Sequence, residues 1–165
     1  MKRRNLPTEV QLAELLTKYK FKLSTAESCT AGLLAGTFMN VPGVSSLYEE
    51  GYITYADKSK HKLLGVKKKT LKKHGAVSRQ TAKQMAKGAA KSAGADVTLA
   101  VTGIAGPDGG TPEKPVGLVY IACFVLGKVN VIRCCFEGDR KMIREQSVQA
   151  AMELAIASIE ERMGC

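Results

Sequence analysis

A chain of 165 residues with 45% hydrophobic content and a mean hydropathy of −0.07 fits one compact domain with a sizeable core. No apolar run approaches the roughly 20 residues that a membrane span needs, and the basic start, Met1 to Pro7, leads into no apolar signal segment, so the sequence reads as cytoplasmic. A formal charge of +10 raises nucleic-acid binding, yet the basic residues read as spread and no aromatic side chains interleave with the one local cluster.

That cluster is Lys58, Lys60, Lys62, Lys67 to Lys69, Lys72 and Lys73. A solvated helical face is its favoured reading, one that also suits the steering of an anionic small molecule. Five cysteines, Cys29, Cys123, Cys134, Cys135 and Cys165, form no CxxC pair, which argues against a disulfide framework and against a zinc site. All but Cys29 read as reduced, small apolar residues.

Thr8-Glu9-Val10-Gln11 has the form of a capping box, and Leu12, Leu15, Leu16 and Tyr19 follow at helical spacing. Phe21 to Thr25 is a short strand candidate. It runs through Ala26-Glu27-Ser28-Cys29-Thr30 into an apolar helical stretch that ends near Met39 and is broken by Val41-Pro42-Gly43. Gly51 to Tyr55 reads as a strand, Asp57 as the cap of a short helix stopped by Gly65, and residues 70–73 as another short helix ending at His74-Gly75. Ser78 opens a longer helix to about Ser92, with Met85 and Ala89 on one face and Lys83, Lys87 and Lys91 on another.

Val97 to Val101 has the unbroken apolar character of a strand buried on both faces. A long irregular loop, Gly103 to Pro112, follows. Gly117 to Val125 and Val129 to Phe136 then form a hairpin across Leu126-Gly127-Lys128, and a last helix runs from beyond Asp139 to about Met163. Helices and strands interleave without repeats or linkers. The expected fold is a single layered α/β/α domain, residues 1–165, with a mixed sheet that includes one antiparallel hairpin.

Several residues have the chemistry of a site. Ser28 lies at or just before a helix start, where the N–H groups of Cys29 and Thr30 are placed to hold an oxyanion; the plainer alternative is a helix N-cap. His61 and His74 sit on lysine-rich, exposed segments, which leaves a lysine as the base for such a serine, provided burial or like charges lower its pKa. Lys60 is one candidate among many, and the pattern does not say which lysine points inward. Cys29 is a weaker competing nucleophile. The loop from Gly103 through Gly106 to Gly110 could offer backbone N–H groups to a phosphate, although it is neither a Walker motif nor a dinucleotide fingerprint. Arg140 and Arg144, four apart on one helix face, could grip a phosphate or pair with Asp139 or Glu145.

Taken together, Ala26-Glu27-Ser28-Cys29-Thr30, Tyr55-Ala56-Asp57-Lys58-Ser59-Lys60 and His74-Gly75-Ala76-Val77-Ser78 resemble the CinA C-terminal domain family. So do Thr102-Gly103-Ile104-Ala105-Gly106-Pro107-Asp108-Gly109-Gly110, Lys114-Pro115-Val116-Gly117 and Gly138-Asp139-Arg140, in family order from about Leu12 to Ala157. The resemblance implies an amidohydrolase of pyridine nucleotide salvage that converts nicotinamide mononucleotide to nicotinic acid mononucleotide and ammonia, without a metal or organic cofactor. It implies Ser28 as nucleophile and Lys60 as its base. Tyr55, Thr102 and a C-terminal arginine, Arg140 before Arg144, would assist binding or catalysis.

The family usually has Gly-Gly after the motif threonine, where this chain has Ala31-Gly32, a mild change if it falls within a helix. No counterpart of the large N-terminal domain of full-length members is expected, nor its pyrophosphatase activity. The alternatives to catalysis are a nucleotide-binding or recombination-associated module of the same fold, and a nucleic-acid binder. A homo-oligomer is compatible with the sequence.

Overall fold

The computed structural model describes residues 5–165; the basic start Met1 to Arg4 lies outside them. Six α-helices and five strands follow in chain order among the described residues: α1 (Thr8–Tyr19), β1 (Leu23–Glu27), α2 (Leu33–Phe38), β2 (Tyr48–Ile53), α3 (Asp57–Leu64), α4 (Lys68–His74), α5 (Arg79–Ala93), β3 (Val97–Gly103), β4 (Leu118–Val125), β5 (Lys128–Cys135) and α6 (Arg140–Met163). The sheet order is β2-β1-β3-β4-β5. β1 runs parallel to both β2 and β3, whereas β3-β4 and β4-β5 are antiparallel, so the expected mixed sheet with one hairpin is present.

Side-chain alternation divides this sheet into two faces of different texture. Leu23, Val97 and Val125 align across β1, β3 and β4, as do Thr25, Leu99 and Cys123. This face is covered by α1, α2 and α6 through Leu12, Leu16, Leu34, Ile143, Val148 and Met152. On the other face Ala26, Ala100 and Ala122 lie in register, and α5 packs its own small residues Ala82, Ala86 and Ala89 with Met85 against them. Two alanine-rich surfaces let helix and sheet approach closely. The same economy continues outward, where Gly88 of α5 sits against the Leu64 carbonyl at the end of α3: a Cβ there would stand 1.8 Å from that oxygen.

Several local expectations shift. Thr8 is the first helical residue rather than a cap; Pro7 occupies the N-cap, and Gln11 donates to Leu6 O instead of closing a capping box. Thr8 Oγ1 accepts from Gln149 of α6. β1 begins and ends two residues later than expected because Phe21 packs beside Tyr19 before the ladder opens, and β2 starts at Tyr48 and stops before Thr54. Asp57 is likewise the first residue of α3, with Ala56 at the N-cap and Gly65 closing the helix at φ 66°. Ser78 and Asp139 are true caps, accepting from Thr81 N and Met142 N. Among the described residues no helix is long and apolar enough to cross a membrane.

Candidate active site

The carboxyl ends of the three parallel strands meet at one edge of the sheet, the place where ligands gather in open α/β folds. Ser28 follows β1, Thr54 and Tyr55 follow β2, and Thr102 lies near the end of β3. The ladder carries on past the strand ends: Ser28 N–H donates to Val101 O at 2.9 Å, and Thr54 N–H to Glu27 O at 2.8 Å. Ser28 is therefore fixed by the sheet and remains only 7% exposed.

Lys60 arrives from α3. It shares the inward face of that helix with Leu64, one turn later, and its side chain is 1% exposed. Its Nζ lies 3.0 Å from Ser28 Oγ, 2.8 Å from Thr54 O and 3.1 Å from Tyr55 O. Burial holds this amine below the ordinary lysine value, opposed in part by Asp57 and Cys29. The like-charge neighbours that the sequence suggested play no such part, since Lys58 and Lys62 point to solvent.

The geometry matches what a neutral amine needs. A protonated Lys60 donates to all three oxygens. After losing a proton it keeps two N–H donors for the Thr54 and Tyr55 carbonyls, and its lone pair faces the Ser28 hydroxyl.

Helix α2 sits differently from the expectation. Five residues separate Glu27 from its start, so Ser28 is neither its cap nor beside its first turn. The α2 amides of Leu34 and Ala35 are taken by the buried carboxylate of Glu27, at 2.8 and 3.1 Å. Glu27 therefore holds the turn between strand and helix, a role that nothing in its local pattern signals. Within the turn, Ala31 N–H donates to Ser28 O, while the N–H groups of Cys29 and Thr30 make no backbone–backbone hydrogen bond among the described residues. Ala31 adopts φ 46° and Gly32 φ 94°, so the alanine stands in left-handed backbone and not, as expected, inside a helix.

Both arginines of α6 reach this edge. Arg144 donates from Nε to Cys29 O (3.0 Å) and from Nη2 to Thr30 O (2.9 Å). Arg140 donates from Nη1 to Gly106 O (2.7 Å) and from Nη2 to Tyr55 Oη (3.2 Å). Neither forms the alternative ion pair: Glu145 pairs with Lys141, and Asp139 caps the helix. Thr102 is buried and donates to Ala76 O, tying β3 to the α4–α5 connection, where Lys114 also binds His74 O.

Gly103 remains in the β3–β4 ladder opposite Val119, and a Cβ there would meet Val119 Cγ2 at 2.6 Å. Gly106, at φ 77°, presents its carbonyl to Arg140. The loop thus meets the arginine through an oxygen, while the amides of Ala105, Gly106 and Gly109 make no backbone–backbone hydrogen bond among the described residues. Cys29 is buried, and burial pushes its thiol up to about 11, which removes it as a competing nucleophile near neutrality. Thr30 Oγ1 and Thr54 Oγ1 are buried without a partner among the described residues. His61 binds Val66 O and His74 lies on α4, so neither histidine contacts Ser28.

Fold and site together define a three-layer α/β protein with a serine–lysine pair sealed at the strand ends. The chain belongs to the CinA family: the model of the CinA C-terminal domain matches residues 5–159. A CinA-like protein of Kosmotoga olearia is 54% identical over 142 residues, covering 86% of this chain and 34% of that protein. The chain spans about a third of the length of the curated relatives it matches. Among solved structures, the competence/damage inducible protein CihA from Agrobacterium tumefaciens is similar at a TM-score of 0.87 and 42% identity, over 92% of this chain and 96% of that one. A CinA superfamily protein from Klebsiella pneumoniae gives 0.90 and 33%, over 94% and 99%.

Proposed function

We propose that the protein is an amidohydrolase that cleaves the carboxamide of nicotinamide mononucleotide, in the cytoplasm and as part of pyridine nucleotide salvage. The observation that carries this reading is the buried Lys60 amine, aimed at Ser28 Oγ by two backbone carbonyls. In this scheme Ser28 Oγ attacks the amide carbon while neutral Lys60 takes the hydroxyl proton. The carbonyl oxygen becomes an oxyanion facing the amides of Cys29 and Thr30. Lys60 returns the proton to the departing nitrogen, the C–N bond breaks and ammonia leaves. Water then hydrolyses the acyl ester, with Lys60 again as base. Ser28, Lys60, backbone amides and water supply every step, so the scheme uses no metal or organic cofactor.

The remaining residues divide by position. Tyr55 is 59% exposed with its hydroxyl on Arg140, a pair placed to meet an anionic, aromatic ligand at the mouth of the site. The loop amides of Ala105, Gly106 and Gly109 and the unpartnered Thr30 hydroxyl supply further hydrogen-bonding capacity. Thr102 and Arg144 act through the backbone they hold. Ammonia release from nicotinamide mononucleotide by the purified protein, beside Ser28→Ala and Lys60→Ala, tests the scheme. Turnover lost by orders of magnitude in both folded variants is the expected result. An inert wild type overturns it and leaves a binding module of the same fold.

A further inference from the structure

The positive charge that first reads as spread is concentrated in one stretch of the sequence, and the fold sets that stretch on one layer. The segment from residue 57 to 91 contains eleven lysines, Arg79 and a single acid, Asp57, and so carries +11, while the rest of the chain sums to −1. This segment is α3, α4 and α5, which form one layer. Gly88 of α5 touches Leu64 of α3, and Gln84 of α5 binds Thr70 Oγ1 and Lys67 N–H at the start of α4. With the apolar side of α5 turned to the sheet, its lysines at four-residue spacing, Lys83, Lys87 and Lys91, fall on the outer surface. Lys58 and Lys62 of α3 are exposed too, as are Lys68, Lys69, Lys72 and Lys73 of α4. Among the described residues none of these lysines forms an ion pair with an acid. Only Lys60 is buried, and it belongs to the catalytic pair.

Ten exposed lysines on one layer repel one another, and a polyanion relieves that repulsion. The chemistry of the face narrows the polyanion further. Protein interfaces are built on apolar and aromatic centres and are poor in lysine, whereas the one exposed large apolar side chain here is Leu63. No Phe, Tyr or Trp occurs between positions 57 and 91, so the face lacks the large rings on which the bases of a single strand stack best. Of the side chains suited to forked base recognition, Arg79 donates from Nη1 to Val131 O and Gln84 is held by Lys67 N–H and Thr70 Oγ1, which leaves Gln80 alone against ten exposed lysines. The face is dominated by point charges suited to phosphates.

We propose that the outer face of α3, α4 and α5 binds the phosphate backbone of duplex nucleic acid without reading its sequence. Fluorescence anisotropy with a short mixed-sequence DNA duplex tests this. If the four α4 lysines neutralise about four phosphates, affinity falls about 150-fold between 50 and 200 mM salt. The variant K68Q/K69Q/K72Q/K73Q loses most of that salt-dependent binding, while K20Q/K22Q/K128Q/K141Q, which removes the same charge elsewhere, keeps most of it. No binding at 50 mM salt, equal losses in the two variants, or tighter binding to a single strand than to the duplex each overturns the proposal.

Discussion

Replacing Lys60 by methionine keeps most of the buried stem and removes the nitrogen that touches Ser28 Oγ, Thr54 O and Tyr55 O. A positioned general base contributes about 10²- to 10⁴-fold, so turnover by the variant is expected to fall about 10³-fold. Stability is expected to change by less than about 2 kcal/mol. Two carbonyls lose a donor, at about 1 kcal/mol each, and relief from burying an amine with a lowered pKa offsets part of that loss.

The pH dependence has a definite sign. Folding lowers the Lys60 pKa, so the unfolded chain holds this proton more tightly. The resulting destabilisation is fully present below the folded pKa and fades as pH rises from there to the ordinary value of about 10.4. The rate follows the same group. An ordinary lysine is neutral in about one molecule in 10³ at pH 7.4, and each unit of depression multiplies that fraction by ten. Wild-type kcat/KM should therefore rise tenfold per pH unit and level off below pH ~10.4. Ammonia release across that range, with urea unfolding at the same pH values, measures both effects. A folded methionine variant within tenfold of wild type, or a rate that levels off only above pH ~10.4, refutes the assignment of Lys60 as base.

Other perturbations follow from the same geometry. Ala31→Gly relieves left-handed backbone worth about 1–2 kcal/mol against the greater entropy of an unfolded glycine, for a net gain of about 0.5–1 kcal/mol. That gain corresponds to a Tm about 1.5–3 °C higher by calorimetry, and a lower Tm contradicts the strain argument. Gly88→Ala should destabilise by at least about 2 kcal/mol in urea unfolding, although alanine is the better helix former by about 1 kcal/mol, because its Cβ collides with Leu64 O; an unchanged midpoint contradicts the close approach. Arg144→Lys should lower kcat with little effect on KM, since the planar peptide that turns Cys29 O to the guanidinium aims Thr30 N–H the opposite way. Arg140→Met should raise KM about tenfold or more, because its guanidinium stands beside the exposed Tyr55 hydroxyl. Steady-state kinetics that reverse these two patterns exchange the roles of the arginines.

Wherever a periodicity was long, the sequence by itself determined the architecture. Met85 and Ala89 announced the buried side of α5, the apolar run at Val97 to Val101 announced the central strand, and Leu126-Gly127 announced the hairpin. Family-like motifs pointed to Ser28 and Lys60, but the pattern of α3 did not. Counting one turn back from Leu63 selects Ser59 and from Leu64 selects Lys60, and only packing against α5 decides that Leu64 is the buried one.

The tertiary structure alone decided the partners that lie far apart along the chain. Arg144 meets Cys29 across 115 positions, and Arg140 meets Tyr55 across 85. Glu27 caps a helix that starts six residues after it, because Ala31 and Gly32 turn the backbone left-handed and swing the α2 amides back onto its carboxylate. The charge is already concentrated between residues 57 and 91, but only the tertiary structure sets it on one face. Periodicity assigns each lysine to the outside of its own helix, but whether those outer faces coincide depends on how α3, α4 and α5 pack on the sheet, and no local pattern encodes that arrangement.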